Sequence, residues 1–244
     1  MHANIEKPTK KTARIVGTLF LISYAGVFIG SEISGSVIDS DPLLNAYPDR
    51  GQLNVGVLVE MINEVAIVGI AVLLYPLLRK VSEGVALFYV GLRVLEAGFL
   101  MMAKVSSLSL VDVSEDFLAA GTTDTSTYEA ASSLAIAQRD AAFYIGAIAF
   151  IVGGIALYYL LLRSELVPRF ISIWGLLAIG SLIVANALGT PDVTEEFGPA
   201  VLLYLPIILN ELFLAGWLLV KGFTPPEDKT KFIKPTQREL TYVS

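Results

Sequence analysis

Cysteine is absent from the sequence, and histidine occurs once, at His2 in a polar leader. Without cysteine there is no disulfide, no thiolate nucleophile and no sulfur-ligated metal. With no histidine beyond residue 2, imidazole ligation within a membrane, bis-histidine haem included, is excluded, and so is a serine–histidine relay. Charge is also scarce, at 16% of 244 residues. Asp140 is the one aspartate inside an apolar run, so an intramembrane aspartyl dyad cannot be assembled.

What the sequence has instead is apolar length. It is 55% hydrophobic with a mean hydropathy of +0.67, more than a water-soluble domain of this size can hide in its core. Runs of mostly apolar residues recur, each long enough to cross ~30 Å of hydrocarbon. None alternates in polarity as a barrel strand does, so the fold class is all-α, a polytopic transmembrane helical bundle. Six spans are predicted, at 15–36, 53–78, 84–111, 131–162, 169–188 and 199–221. They form one transmembrane domain over 15–223, with a basic leader (1–14) and a polar tail (224–244).

All of the 17 Lys and Arg except Arg50, Arg93, Lys104 and Arg139 fall on one side of this arrangement. Asp39, Asp41, Asp49, Asp112, Glu115, Asp116, Asp124, Asp192, Glu195 and Glu196 fall on the other. The basic side is the cytoplasmic one, so both termini are expected in the cytoplasm. Tyr75, Tyr158, Tyr159, Trp174 and Trp217 sit near the cytoplasmic ends of their spans, at headgroup depth. The basic leader and first apolar run also resemble a signal peptide, but the run is long and no clear A-x-A-like site follows, which favours a retained first span.

The longest predicted loop is the external stretch 112–130, where Ser126 and Glu129 form a capping box that starts the fourth helix ahead of the bilayer. Within that helix Ala142, Gly146, Ala149, Gly153 and Ala156 recur at the spacing that lets another helix approach closely.

Polar residues interrupt the spans at few places. Arg93 is ~15 Å from the start of the third span, near the midplane, with Glu96 three positions on and Lys104 on nearly the same face toward the outer surface. Glu60, Asn63 and Glu64 share one face of the second span. Asn210 and Glu211 follow Pro206 in the sixth, and Glu32, Arg139 and Asp140 lie nearer the outer edge. Acids outnumber bases in this outer half. A central charge facing lipid costs ~2.5–3.5 kcal/mol or more, so these groups are expected to turn inward and meet, with Arg93 as the hub held by Glu96 and by Glu64 or Glu211.

Three readings follow. The cluster is an outward-facing site that binds or passes a small cation or polar solute, an excess of acids favouring a cation. Alternatively it is a static charge network in a structural or partner-docking membrane protein. The third is a membrane enzyme using a hard metal on Glu60, Glu64, Glu96 or Glu211, or Ser106 or Ser107 assisted by Lys104. The missing residue types weigh against the third, and no catalytic residue is singled out. No cofactor is evident, and the expected partners are the bilayer and the small solute, with no nucleic acid.

The segments LLYPLLRKV (73–81), ALFYVGLRVLEA (86–97) and LPIILNELFLAGWLLVKGF (205–223) resemble the bacterial integral membrane proteins grouped as the domain of unknown function 4386 family. The specific parts fall on Arg93, Glu96, Glu211, Trp217, Lys221, Gly222 and Phe223. The resemblance implies a six-helix fold in a bacterial or archaeal cytoplasmic membrane and supplies no reaction.

The orientation is testable because the chain is naturally free of cysteine. With an impermeant thiol reagent, Thr122→Cys is expected to label in intact cells and Thr230→Cys only after lysis. The reverse pattern would invert the topology.

Overall fold

The computed structural model describes residues 10–121, 124–187 and 201–224. These form α1 (Lys10–Ile38), α2 (Pro42–Asn45), α3 (Arg50–Leu78), α4 (Glu83–Ala120), α5 (Ser126–Ser164), α6 (Arg169–Ala187) and α7 (Val201–Val220). Among the described residues there is no strand, and six helices, all but α2, are long and apolar enough to cross a membrane. Each predicted span falls on one of them. The outer ends of the last two spans, at 188 and 199–200, lie outside the described residues, as do residues 1–9 and 225–244 of the leader and tail.

The long helices pack in chain order, α1 on α3, α3 on α4, α4 on α5, α5 on α6 and α6 on α7, and α7 closes the ring against α1. At one end Gly222 lies against Lys10 and Ala13, and the Thr224 N–H donates to the Leu166 carbonyl. The start of α1 and the end of α7 therefore share the basic end of the bundle.

The ring interior changes character along its length. A large apolar core draws Val16 and Phe20 from α1, Leu74 and Leu78 from α3, Leu157 and Leu161 from α5, Ile171 from α6 and Leu218 from α7. A smaller cluster of Val37, Ile38, Leu53, Val57, Leu110 and Ala135 closes the opposite end. Between the two lie the buried charges.

Local signals set the helix ends. Asp41 accepts from the Leu43 and Leu44 N–H groups with Pro42 in the first turn, and Ser82 accepts from the Val85 N–H at the start of α4. The predicted 112–130 loop is largely helical. At 38 and 39 residues, α4 and α5 reach ~57 Å, well beyond the hydrocarbon, and rise as a hairpin whose tip is held by Phe117 against Tyr128. The sequence reading went wrong because α4 is polar there but keeps a helical register. Its buried Ser114 donates to the Leu43 carbonyl and accepts from the Tyr47 N–H, docking the α2 segment on the stalk.

The capping of α5 also differs from expectation. The cap position is Thr125, whose hydroxyl donates to Glu129 Oε1, while Asp124 accepts from the N–H and hydroxyl of Ser126. Those two bonds, the hydroxyl first, hold the exposed Asp124 carboxyl below its usual range. Tyr158, expected at headgroup depth, is fully buried, because Gly175 of α6 leaves the space its ring fills. The small-residue stripe of α5 is buried, with Gly146 facing Glu96 and Leu100 and Gly153 facing Leu92 of α4.

The tightest approach is between α1 and α3. A Cβ on Gly30 would stand 2.6 Å from the Glu60 nitrogen and 2.8 Å from the Gly56 carbonyl oxygen, and one on Gly56 would stand 2.6 Å from the Ser34 nitrogen. These are backbone atoms that cannot swing aside. Gly30→Val is expected to lower stability by about 3 kcal/mol through overpacking, whereas Gly91→Val, in open space, leaves the detergent melting temperature nearly unchanged. Equal effects at the two positions would show that the close approach is not needed.

Candidate functional site

The buried charges lie in two tiers rather than the single cluster expected. The inner tier centres on Arg93, 2% exposed. Its Nη1 donates to both oxygens of Glu96, at 2.8 and 3.1 Å, and its Nη2 is 3.7 Å from Glu211 Oε1. The guanidinium also lies over Phe150 and Tyr89, with 4.9 and 5.7 Å to the ring centroids. From α1, the Tyr24 hydroxyl donates to Glu211 Oε2 at 2.8 Å. The helical register explains the pair: Arg93 and Glu96, three apart, project from one face of α4 toward the ring interior.

The outer tier centres on Lys104, eleven residues on and ~16 Å further along α4. Its Nζ is 2.9 Å from Glu64 Oε1 and 3.0 Å from Glu60 Oε2, and the Ser34 hydroxyl donates to Glu60 Oε1 at 2.5 Å. Glu64 is thus the partner of Lys104, and of the two carboxylates expected as the second partner of Arg93 it is Glu211 that takes the place. The choice is set by depth: on antiparallel α3 and α4, Glu64 meets the outer part of α4. Asn63 lies between the tiers, its Oδ1 accepting from the Ser23 hydroxyl.

Other expected members are elsewhere. Asn210 is buried but faces α6, its Nδ2 donating 3.0 Å to the Ile171 carbonyl. Arg139 and Asp140 are only 3.9 Å apart at their closest atoms, with side chains 24% and 64% exposed, and Glu32 is exposed. Near the outer edge, such side chains reach headgroups and water without turning inward. Arg139 keeps one link inward: it and Lys104 lie over the same Phe143 ring.

A cavity of 140 Å³ opens beside the inner tier, lined by Ser23, Tyr24, Asn63, Arg93, Glu96 and Glu211 together with Phe20, Val27, Ile67 and Phe150. That is room for several waters among polar partners. Among the described residues, the fully buried hydroxyl of Tyr158 has no hydrogen-bond partner, nor does Glu64 Oε2 in the outer tier.

The hydroxyl donors of α1 were missed from sequence. Ser23 and Ser34 are eleven apart, the same spacing as Arg93 and Lys104, and with Gly26 and Gly30 they form a small-residue face. That periodicity was available, but short hydroxyls in an apolar run read as packing. The metal-enzyme reading gains no geometry: among the described residues no three acidic, histidine or cysteine side chains gather where a metal could sit. Ser106 and Ser107 donate to carbonyls of their own helix, and Lys104 is held by glutamates.

A family model described as a domain of unknown function (DUF4386) matches residues 15–222, from the start of the first span to the end of the last. Neither the curated proteins nor the solved structures provide a match.

Stranding one charge tests the inner tier. Arg93→Met is expected to cost about 3–5 kcal/mol by leaving Glu96 and Glu211 without their cation, and adding Glu96→Gln should recover part of that loss. Unfolding in detergent of the single and double variants measures the coupling. Additive effects would show that the two residues do not act as a pair.

Proposed function

The chain belongs to the domain of unknown function 4386 family, whose description names no reaction, and we propose that this multi-pass membrane protein binds a small cation at the inner tier. One observation carries the reading: around the cavity, two carboxylates face a single guanidinium, so the site holds one surplus negative charge in a desolvated place. A cation entering the cavity removes that imbalance. In this reading the basic end, closed by the large apolar core, faces the cytoplasm. The protein is then a component of the cell membrane, with both termini inside.

The static reading fits the outer tier better than the inner one. Lys104 binds two glutamates of a neighbouring helix at short range, clasping α3 to α4, and neither it nor Glu60 and Glu64 line the cavity. Arg93 makes its short bonds within its own helix, so they staple nothing. Its one ion pair to another helix, with Glu211, is long.

A melting screen in detergent over alkali cations, ammonium, small amines and pH tests the proposal. A ligand at one hundred times its dissociation constant adds about 2.7 kcal/mol to the wild type. Glu211→Gln is expected to remove that gain, while Glu64→Gln lowers the starting stability and keeps it. If neither pH nor any cation shifts the wild-type transition, the binding reading falls and a static network remains.

A further inference from the structure

Resting on that reading, we infer that the occupant is a proton, carried on Glu211 Oε1 as the neutral carboxylic acid. The argument is the supply of free oxygen. A desolvated metal cation needs several oxygen ligands at once, six or more for the hard divalent ions. In the cavity both Glu96 oxygens accept from Arg93, Glu211 Oε2 accepts from Tyr24, and Asn63 Oδ1 accepts from Ser23. Glu211 Oε1, 3.7 Å from the guanidinium and beyond hydrogen-bond reach, is among the described residues the one carboxylate or amide oxygen of the cavity that accepts no hydrogen bond. One free oxygen suffices for a proton, whereas a metal ion needs several such ligands.

The remaining surroundings agree. Glu211 is faced from α4 by Arg93, Glu96 and the Tyr89 hydroxyl, from α1 by Tyr24 and from α5 by Tyr158. From α3 come the Asn63 amide and, further off, Glu64 in its bond with Lys104. The only charged side chain of α6 is Arg169, which is exposed and held by Glu165. Among the described residues Arg93 is thus the one cation at the site, and Glu96 takes it up in two hydrogen bonds. In the step, a hydronium in the cavity gives its proton to Oε1: one O–H bond breaks, one forms, water is left, and the tier passes from one surplus negative charge to none. The neutral acid no longer attracts Arg93, while the Tyr24 hydroxyl stays within reach of Oε2. Tyr24 is a positioning residue, holding Glu211 so that Oε1 points to the guanidinium side.

Infrared spectroscopy of the purified protein in H2O and D2O, across pH, tests this. The wild type is expected to show the carbonyl stretch of a buried protonated carboxyl, shifted in D2O and bleaching as the pH is raised. The band should vanish in Glu211→Gln, persist in Glu64→Gln, and move to a new frequency in Glu211→Asp and in Tyr24→Phe. Absence of the band from the wild type at every pH at which it is folded, or an unchanged band in Glu211→Gln, overturns the assignment. If there is no band but ammonium or an alkali cation stabilises the wild type at fixed pH through Glu211, the cation site stands and the proton falls. If neither response appears, both fall.

Discussion

Arg93, buried ten residues into α4, is the constraint from which the rest of the interior follows. A guanidinium there cannot reach either interface, and left to lipid it would oppose insertion of its helix. The chain answers with Glu96 on the same face, with Glu211 from α7 and with two aromatic rings against the cation. The result is a ring of helices whose interior is apolar at the basic end, ionic in two tiers through the middle and apolar again at the other end. Because both tiers hang from one helix, α4 sets the spacing between them.

The charges alone would not hold the ring in register; the backbone does that. At Gly30 and Gly56 the two chains of α1 and α3 come so near that side chains are excluded, and this brings the Ser34 and Ser23 hydroxyls within hydrogen-bond reach of Glu60 and Asn63. Tyr24, on the adjacent flank of α1, turns instead to Glu211 of α7. One helix thus supplies donors to two neighbours, and its packing and its polar contacts are the same event. This is why small residues and short hydroxyls recur together along α1.

Six spans and the all-α fold were legible because hydrocarbon imposes a length that the apolar runs repeat. The candidate residues were legible as types: an arginine or glutamate within such a run stands out whatever its partners. Their pairing was not. Glu64 and Glu211 are both near Arg93 in a diagram, and only the relative heights of α3, α4 and α7 send one to Lys104 and the other to Arg93. The stalk of α4 and α5 was hidden for a different reason, since a helix beyond the hydrocarbon needs no unbroken apolar run, and Asp112, Glu115 and Asp116 interrupt this one. Tyr158 was misplaced because a tyrosine near a span end reads as interfacial unless the glycine on a neighbouring helix is known to receive it.

The intrahelical bond between Arg93 and Glu96 has a consequence for how the protein is made. A helix that carries its own counter-ion leaves the translocon with its central charge already neutralised, so α4 can partition into lipid before the later spans exist. Lys104 finds Glu60 and Glu64 on α3, which precedes it in synthesis. Glu211, on the last helix, has no such companion in its own sequence and meets Arg93 and Tyr24 only when α7 closes the ring. The short-range partners of Arg93 and Lys104 are therefore made before the last helix, and the second carboxylate of the inner tier arrives only with α7.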